Sequence, residues 1–257
     1  MMVARIISAL VAVGIIIPTL IWGGVPGVAV LVAVFSALGA WELTNNLSSL
    51  KTVPSRFMAI ALGVLIVILF YWVPIPYVPA VMALFPLIAV LLHLFFFKVI
   101  ENTIDSVTQV IFVGAYLVTP LAHAVLLSRL DATNVWLFFV LFVVCLSDVG
   151  AFFAGKYLGK THFSKEVSPR KTVEGLVGGL AGAIVGMLLI KMFASDMPPL
   201  LVLFEATIIL SITGPIGDLS ASAIKRRLGI KDFGTIMPGH GGVMDRADSL
   251  IPSIPVL

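Results

Sequence analysis

Apolar residues run through this chain in long blocks, separated by short clusters of charge, glycine and proline. Eight blocks reach or approach the roughly 20 residues that a helix needs to cross a bilayer. They cover residues 6–24, 26–42, 57–73, 77–97, 106–128, 134–155, 173–195 and 199–224. None shows the two-residue alternation of a barrel strand, so each predicts a helix. A helix also satisfies its own backbone in lipid, where no water can. The expected fold is therefore all-α: a polytopic integral membrane bundle of about eight spans with a short C-terminal segment. The first block follows Arg5 and holds Pro18, and no small-residue cleavage site ends it. It reads as a retained span and not as a signal peptide. After Leu250 only IPSIPVL follows, so the last segment reads as partial, re-entrant or peripheral.

Composition agrees with a membrane protein. Of the 257 residues, 60% are apolar and 11% are charged, against about 25% charged in a soluble domain. Mean hydropathy is +1.15. One soluble core of this length cannot hide so much apolar surface. The single cysteine, Cys145, excludes an internal disulfide. The net charge of +3 reads as cytoplasmic loops, with no nucleic acid implied. With the N-terminus placed inside, 14 of the 16 basic residues fall on inside loops; only Arg129 and Lys191 fall outside. Nine of the 16 lie in two inside segments, five in 156–171 and four in 225–231. The chain thus divides into an N-terminal transmembrane scaffold, 1–130, and a C-terminal catalytic region, 131–257. The latter has cytoplasmic loops at 156–172 and 225–248, and the two form one integrated membrane domain.

Chemistry gathers in that second half. Asp218 lies near the inner end of the eighth block, where an unpaired carboxylate is costly. On a helix Asp218, Ser222 and Lys225 share one face, at i, i+4 and i+7. Arg226, Lys231 and Asp232 follow, then Pro238-Gly239-His240-Gly241-Gly242. Such glycines let backbone N–H groups approach an anion. Asp245, Arg246 and Asp248 come next, on an expected short helix. Carboxylates for a divalent metal, cations for phosphate and a glycine loop at a membrane face suit a phosphorylated substrate. A solvated basic loop that only sets topology is the plainer alternative.

The other segment runs from Asp148, inside the sixth block, to Gly175. It contains Gly155-Lys156, Gly159-Lys160 and Ser168-Pro169-Arg170-Lys171-Thr172, then Glu174 at the start of the seventh block. Lys156, Ser168, Arg170, Thr172 and Glu174 are candidate phosphate-side groups. Gly150 to Lys156 mimics the first seven positions of a P-loop. Tyr157 stands where the metal-binding hydroxyl belongs, and the glycines sit at the end of a span, so that reading is rejected. Gly175 with Gly179, and Gly178, Gly182 and Gly186, repeat every four residues and predict a close-packing face, within or between subunits. Glu42 and His93 read as span-end groups reaching the interface, and His123 and Glu205 as structural. Asn46-Leu47-Ser48 is a glycosylation sequon on the inside face, expected to be silent.

The stretch from Ser222 through Lys225-Arg226, Lys231-Asp232, Gly234 and Pro238-Gly239-His240-Gly241-Gly242 to Asp245-Arg246-x-Asp248 resembles the signature of the phosphatidate cytidylyltransferases, or CDP-diacylglycerol synthases. The Asp148…Gly175 segment is similar to the same family. The resemblance implies a multi-pass enzyme of the bacterial cytoplasmic membrane, often a homodimer, with its site facing the cytoplasm. It implies transfer of CMP from CTP to phosphatidate with Mg²⁺, giving CDP-diacylglycerol and pyrophosphate for phospholipid synthesis. It also implies a further apolar segment beyond the signature. A phosphate monoester with a second pKa near ~6 is already a nucleophile at neutral pH. The chemistry then needs alignment and charge neutralisation, not a general base. On this reading Asp218 and Asp245 hold the metal and, with Lys171 and Arg246, carry catalysis. Asp148, Lys156, Ser168, Arg170, Thr172, Glu174, Ser222, Lys225, Arg226, Lys231, Asp232, His240, Gly241, Gly242 and Asp248 bind substrate. A lipid or polyprenol kinase, or another lipid nucleotidyltransferase, shares phosphate, metal and membrane. A transporter fits less well, because the polar groups gather in one half at one face.

Overall fold

The structure, a computed structural model, describes residues 2–47, 53–97, 103–164, 166–194, 197–237 and 241–257. Each predicted apolar block becomes helix: α1 (Met2–Trp22), α2 (Gly24–Leu47), α3 (Val53–Trp72), α4 (Val78–Phe97), α5 (Thr103–Val113) running on into α6 (Thr119–Leu130), α7 (Val135–Leu158), α8 (Val173–Phe193) and α9 (Leu200–Leu228). A short α10 (Met244–Ala247) follows. Among the described residues there is no strand, only isolated bridges at His162–Thr172 and Met237–Gly241. Among the described residues, six helical stretches are long and apolar enough to cross a membrane; Ile7–Trp22 and Arg56–Trp72 are shorter apolar helices. The chain is a polytopic helical membrane protein. Large apolar side chains such as Leu10, Phe95, Ile104 and Phe193 face outward, as a lipid-facing surface requires.

Two compact units emerge. One comprises Met1–Ala132 with Asp232–Arg246, the other Thr133–Lys231 with Ala247–Leu257. The signature stretch is therefore divided between them.

In the first unit α2, α3, α5 and α6 enclose a core of Leu43, Phe70, Leu117 and Val118. A five-residue π-turn, Gly114–Val118, joins α5 to α6 within one span. Gly114 lies flat against the Phe85 ring, where a Cβ would overlap it. Arg129 donates from Nη1 to the carbonyls of Phe70 and Val73, both at 2.7 Å, capping the end of α3. His123 lies 2.8 Å from the Thr119 carbonyl, edge-on to Phe70.

The second unit is a tight α7–α8 pair braced by α9. Gly178 and Gly182 meet the α7 backbone at Gly150 and Leu146, and Gly186 meets Phe142. A Cβ would overlap backbone at Gly178 and Gly182 and press tightly on it at Gly186, so the glycine face packs within the chain. Gly150, the P-loop mimic, is helical and held in this contact. The α9 terminus closes on Gly229 at φ 68°, with Gly229 N–H to the Arg226 carbonyl and Ile230 N–H to the Lys225 carbonyl. This paired motif ends the helix and leaves Lys225, Arg226 and Arg227 in its last turn, favourable to the helix dipole.

Candidate functional site

Thr172 starts the α7–α8 loop chemistry. Its side chain caps α8 by accepting from Gly175 N–H at 3.1 Å. The hydroxyl also sits against Gly155 and Gly159, and it is buried. Glu174 accepts the N–H groups of Lys160 (3.0 Å) and Thr161 (3.1 Å), and Val173 N–H reaches the Thr161 carbonyl. Thr172 and Glu174, both read as phosphate-side groups, thus shape the 159–174 strap. Lys156 leans over Phe152 and Tyr157, with Nζ 5.9 and 5.1 Å from the ring centroids, a cation–π contact among exposed rings. Arg170 is exposed.

The strap delivers Lys171 to α9. Its Nζ lies 2.8 Å from Asp218 Oδ2 and donates to the Pro215 carbonyl at 3.1 Å. The pair is only partly exposed, 19% for Lys171 and 38% for Asp218. Gly217 lets the 248–252 segment lie directly on α9, since a Cβ there would overlap the Asp248 carbonyl and Pro252. The Thr213 and Ser253 hydroxyls meet at 3.1 Å and fasten the same segment. Asp248 thereby faces Asp218, Asp148 and Lys225. Burial, then the nearby Asp218 carboxylate, push its carboxyl up to about 6, while the Ser249 N–H and Lys225 pull it down. Asp148, on α7, faces Asp218 and Lys171 and takes a side-chain hydrogen bond from Ser249. The second unit thus gathers three carboxylates, from α7, α9 and the C-terminal segment, with two lysines.

Further along α9 a cavity of about 530 Å³ opens. Ser168, Ser222, Lys225, Arg226 and Lys231 line it together with Gly229. All five side chains were singled out from sequence, and the α9 face Asp218–Ser222–Lys225 runs from the carboxylates into it. Three cations and two hydroxyls around a volume of that size suit a polyphosphate.

The remaining signature residues belong to the first unit. Asp245, 6% exposed, accepts Phe233 N–H (2.8 Å) and Gly242 N–H (3.0 Å) on Oδ2. Gly241 adopts φ 85°, which only glycine holds readily, and a Cβ there would press on the Asp245 carboxylate. Arg246 and Asp232 are exposed. His240 lies outside the described residues. The signature implies Asp218 and Asp245 as the metal carboxylates; within its own unit Asp218 lies beside Asp148 and Asp248, and within its own unit Asp245 also accepts backbone amides of its loop. Among the described residues, no three His, Cys, Asp or Glu side chains converge tightly enough to hold an ion alone.

Sequence reading missed Glu42. It is 2% exposed, and its two oxygens accept Val243 and Met244 N–H, each at 3.0 Å. The available signal was a carboxylate inside an apolar helix, which needs a partner.

Comparison with known proteins gives one answer. The pattern of the Cytidylyltransferase family matches residues 3–257. The chain is 37% identical to the phosphatidate cytidylyltransferase of Bacillus subtilis (strain 168) over 174 residues, 66% of this chain and 65% of that protein. It thus spans just under two thirds of that relative's length. Over 266 residues it is 32% identical to the phosphatidate cytidylyltransferase of Staphylococcus saprophyticus, covering 100% of this chain and 97% of the relative. The Staphylococcus haemolyticus protein of the same name is 34% identical over 264 residues, with the same coverage.

Proposed function

The chain belongs to the cytidylyltransferase family, and on that premise we propose that it transfers CMP from CTP to phosphatidate, giving CDP-diacylglycerol and pyrophosphate. The observation that carries this reading is the cavity of Ser168, Ser222, Lys225, Arg226 and Lys231, on the α9 face that also bears Asp218. It offers a polyphosphate three cations and two hydroxyl donors.

The lipid phosphate attacks the α-phosphorus of CTP. A P–O bond forms there as the bond to the β-phosphate oxygen breaks, and pyrophosphate leaves. At neutral pH the monoester is largely its own dianion, so no residue has to remove a proton. Lys225, Arg226 and Lys231 bind and orient the leaving phosphates. Lys171, fixed by Asp218 and the Pro215 carbonyl, supplies a positioned positive charge to the transferring phosphoryl group.

The donor set fits Mg²⁺, which favours hard oxygen ligands and uses only one or two protein carboxylates, with water and phosphate completing the shell. In the second unit Asp218 would hold it, with Asp148 and Asp248 as the neighbouring carboxylates; in the first, Asp245 is the second proposed ligand carboxylate and Arg246 a proposed phosphate-side cation. When bound, the ion neutralises charge on the phosphates and aligns them.

We also propose that this multi-pass protein sits in the bacterial cytoplasmic membrane with the 156–172 and 225–248 loops inside, and that it works as a homodimer. Support for the first comes from the bias of 14 basic residues to 2, and for the second from the family likeness. In a Cys145→Ala background, single cysteines at Lys160 and Lys231 should resist impermeant reagents in intact cells; labelling at both from outside reverses the topology.

The reaction itself is tested with CTP labelled at either the α or the γ phosphate. Label in the lipid from α-labelled CTP, and release of γ label as pyrophosphate, is expected. Lipid labelled from the γ position would mean a kinase instead.

A further inference from the structure

The segment 232–246 carries six candidate site residues: Asp232, His240, Gly241, Gly242, Asp245 and Arg246. The start of the short α10 is the one helix among its described residues. Its backbone groups need partners all the same, because buried amides left unpaired cost free energy. Those partners come from two carboxylates. Asp245 takes the Phe233 and Gly242 amides from within the segment. Glu42, about 200 residues earlier on α2, takes Val243 and Met244, one amide per oxygen.

One turn further along α2, Asn46 adds a second tie. Its Nδ2 donates to the Phe233 carbonyl at 2.6 Å and to the Glu42 carbonyl at 2.8 Å. Glu42 and Asn46, at i and i+4, therefore share one helix face, and that face grips both ends of the segment. Two glycines make the grip possible. Gly234 and Gly242 lie flat on the Glu42 carboxylate, and a Cβ at either would overlap it. The Val243 and Met244 amides also open α10, the turn that bears Asp245 and Arg246. A carboxylate held there completes the helix start, where N–H groups lack partners of their own.

We propose that Glu42 is a positioning residue for nucleotidyl transfer: it fixes the backbone of residues 242–244, and so the placement of Asp245 and Arg246. Burying a carboxylate is costly unless its oxygens are fully used. The Glu42 oxygens are used, one amide each, and both amides belong to the signature segment. The Glu42→Gln side chain would present one acceptor and one N–H₂ donor to two N–H groups, so one hydrogen bond is lost and a donor–donor clash replaces it. Glu42→Asp keeps both acceptors but falls a methylene short.

This proposal rests on the cytidylyltransferase reading, and the experiment separates the two. The full-length chain and Glu42→Gln are purified in detergent, and kcat and the KM for CTP are measured per folded molecule, the folded fraction being taken from melting. An inactive wild type refutes the cytidylyltransferase reading. With an active wild type, Glu42→Gln should lose roughly 10- to 100-fold in kcat/KM, with a raised KM for CTP and a retained cooperative melt. An unchanged KM and a wild-type kcat per folded molecule would overturn the positioning role.

Should Glu42→Gln fail to fold, Gly242→Ala and Glu42→Asp serve instead. Gly242→Ala should be severe in the wild-type background and milder combined with Glu42→Asp, whose shorter side chain leaves room for the methyl group. A Gly242→Ala loss of equal size in both backgrounds contradicts the proposal.

Discussion

Lys171 Nζ sits 2.8 Å from Asp218 Oδ2, joining the α7–α8 loop to α9 across 47 residues of sequence. The contact occupies one Asp218 oxygen and directs the lysine away from bulk water. In the proposed reaction Asp218 has two duties, anchoring Lys171 and offering an oxygen to Mg²⁺. Asp218→Asn preserves the shape and removes the charge. It should abolish transfer while the protein still inserts and melts cooperatively. Glu205→Gln, at an exposed position of the same helix, should be silent. Lipid-labelling rates on the two purified variants check this. Near-wild-type turnover of Asp218→Asn with unchanged Mg²⁺ dependence would remove Asp218 from the chemistry.

The cavity makes a sharper claim about charge, because neighbouring cations differ in whether they line it. Lys225 and Arg226 do and Arg227 does not, although all three occupy the last turn of α9. Lys225→Ala and Arg226→Ala should each lower kcat/KM for CTP by roughly 10- to 150-fold, the equivalent of about 1.5–3 kcal/mol for a charge-assisted hydrogen bond. Arg227→Ala should change it by less than about threefold, as expected of an exposed charge worth under ~1 kcal/mol. Steady-state kinetics on the three variants decide it. Equal losses in all three would mean that these residues act only through net charge.

Asp248 provides a pH signature. Burial and the adjacent Asp218 raise its folded-state carboxyl to about 6, above an unfolded value near ~3.9. The folded chain therefore binds more protons than the unfolded chain between these values. The contribution of Asp248 to stability is fully present below about pH 4 and is lost as pH rises through 6. Asp248→Asn, which cannot ionise, should lack that fall. Melting in detergent with chelator present, at pH 4, 5, 6 and 7, compares the two. Parallel curves would show that Asp248 ionises normally in the folded chain.

Much of this was legible from the residue pattern. Each apolar block became a helix because length and hydrophobicity leave little choice in lipid. The face of Asp218, Ser222 and Lys225 followed from helical spacing, and the α8 glycine face from its four-residue repeat. Thr172, read as a phosphate-side group, also caps α8. What sequence did not reveal were contacts set by tertiary approach. Glu42 meets Val243 and Met244 across about 200 residues, and no local pattern encodes that separation. Glu174 looked like a phosphate-side acid, yet the strap folds back and gives it the Lys160 and Thr161 amides. The signature is one continuous stretch of sequence, and its residues belong to two compact units that change over at residues 231–232 and 246–247.

Nucleotide choice bears most directly on the central claim, that this chain is a CTP-dependent lipid nucleotidyltransferase. Purified protein in mixed micelles with phosphatidate and Mg²⁺ is given each of CTP, UTP, ATP and GTP, labelled at the α-phosphate. Lipid-linked label should form from CTP, with one pyrophosphate released per nucleotide transferred, and the other three should give little. Equal incorporation from all four, or none from CTP under conditions where the protein remains folded, would contradict it.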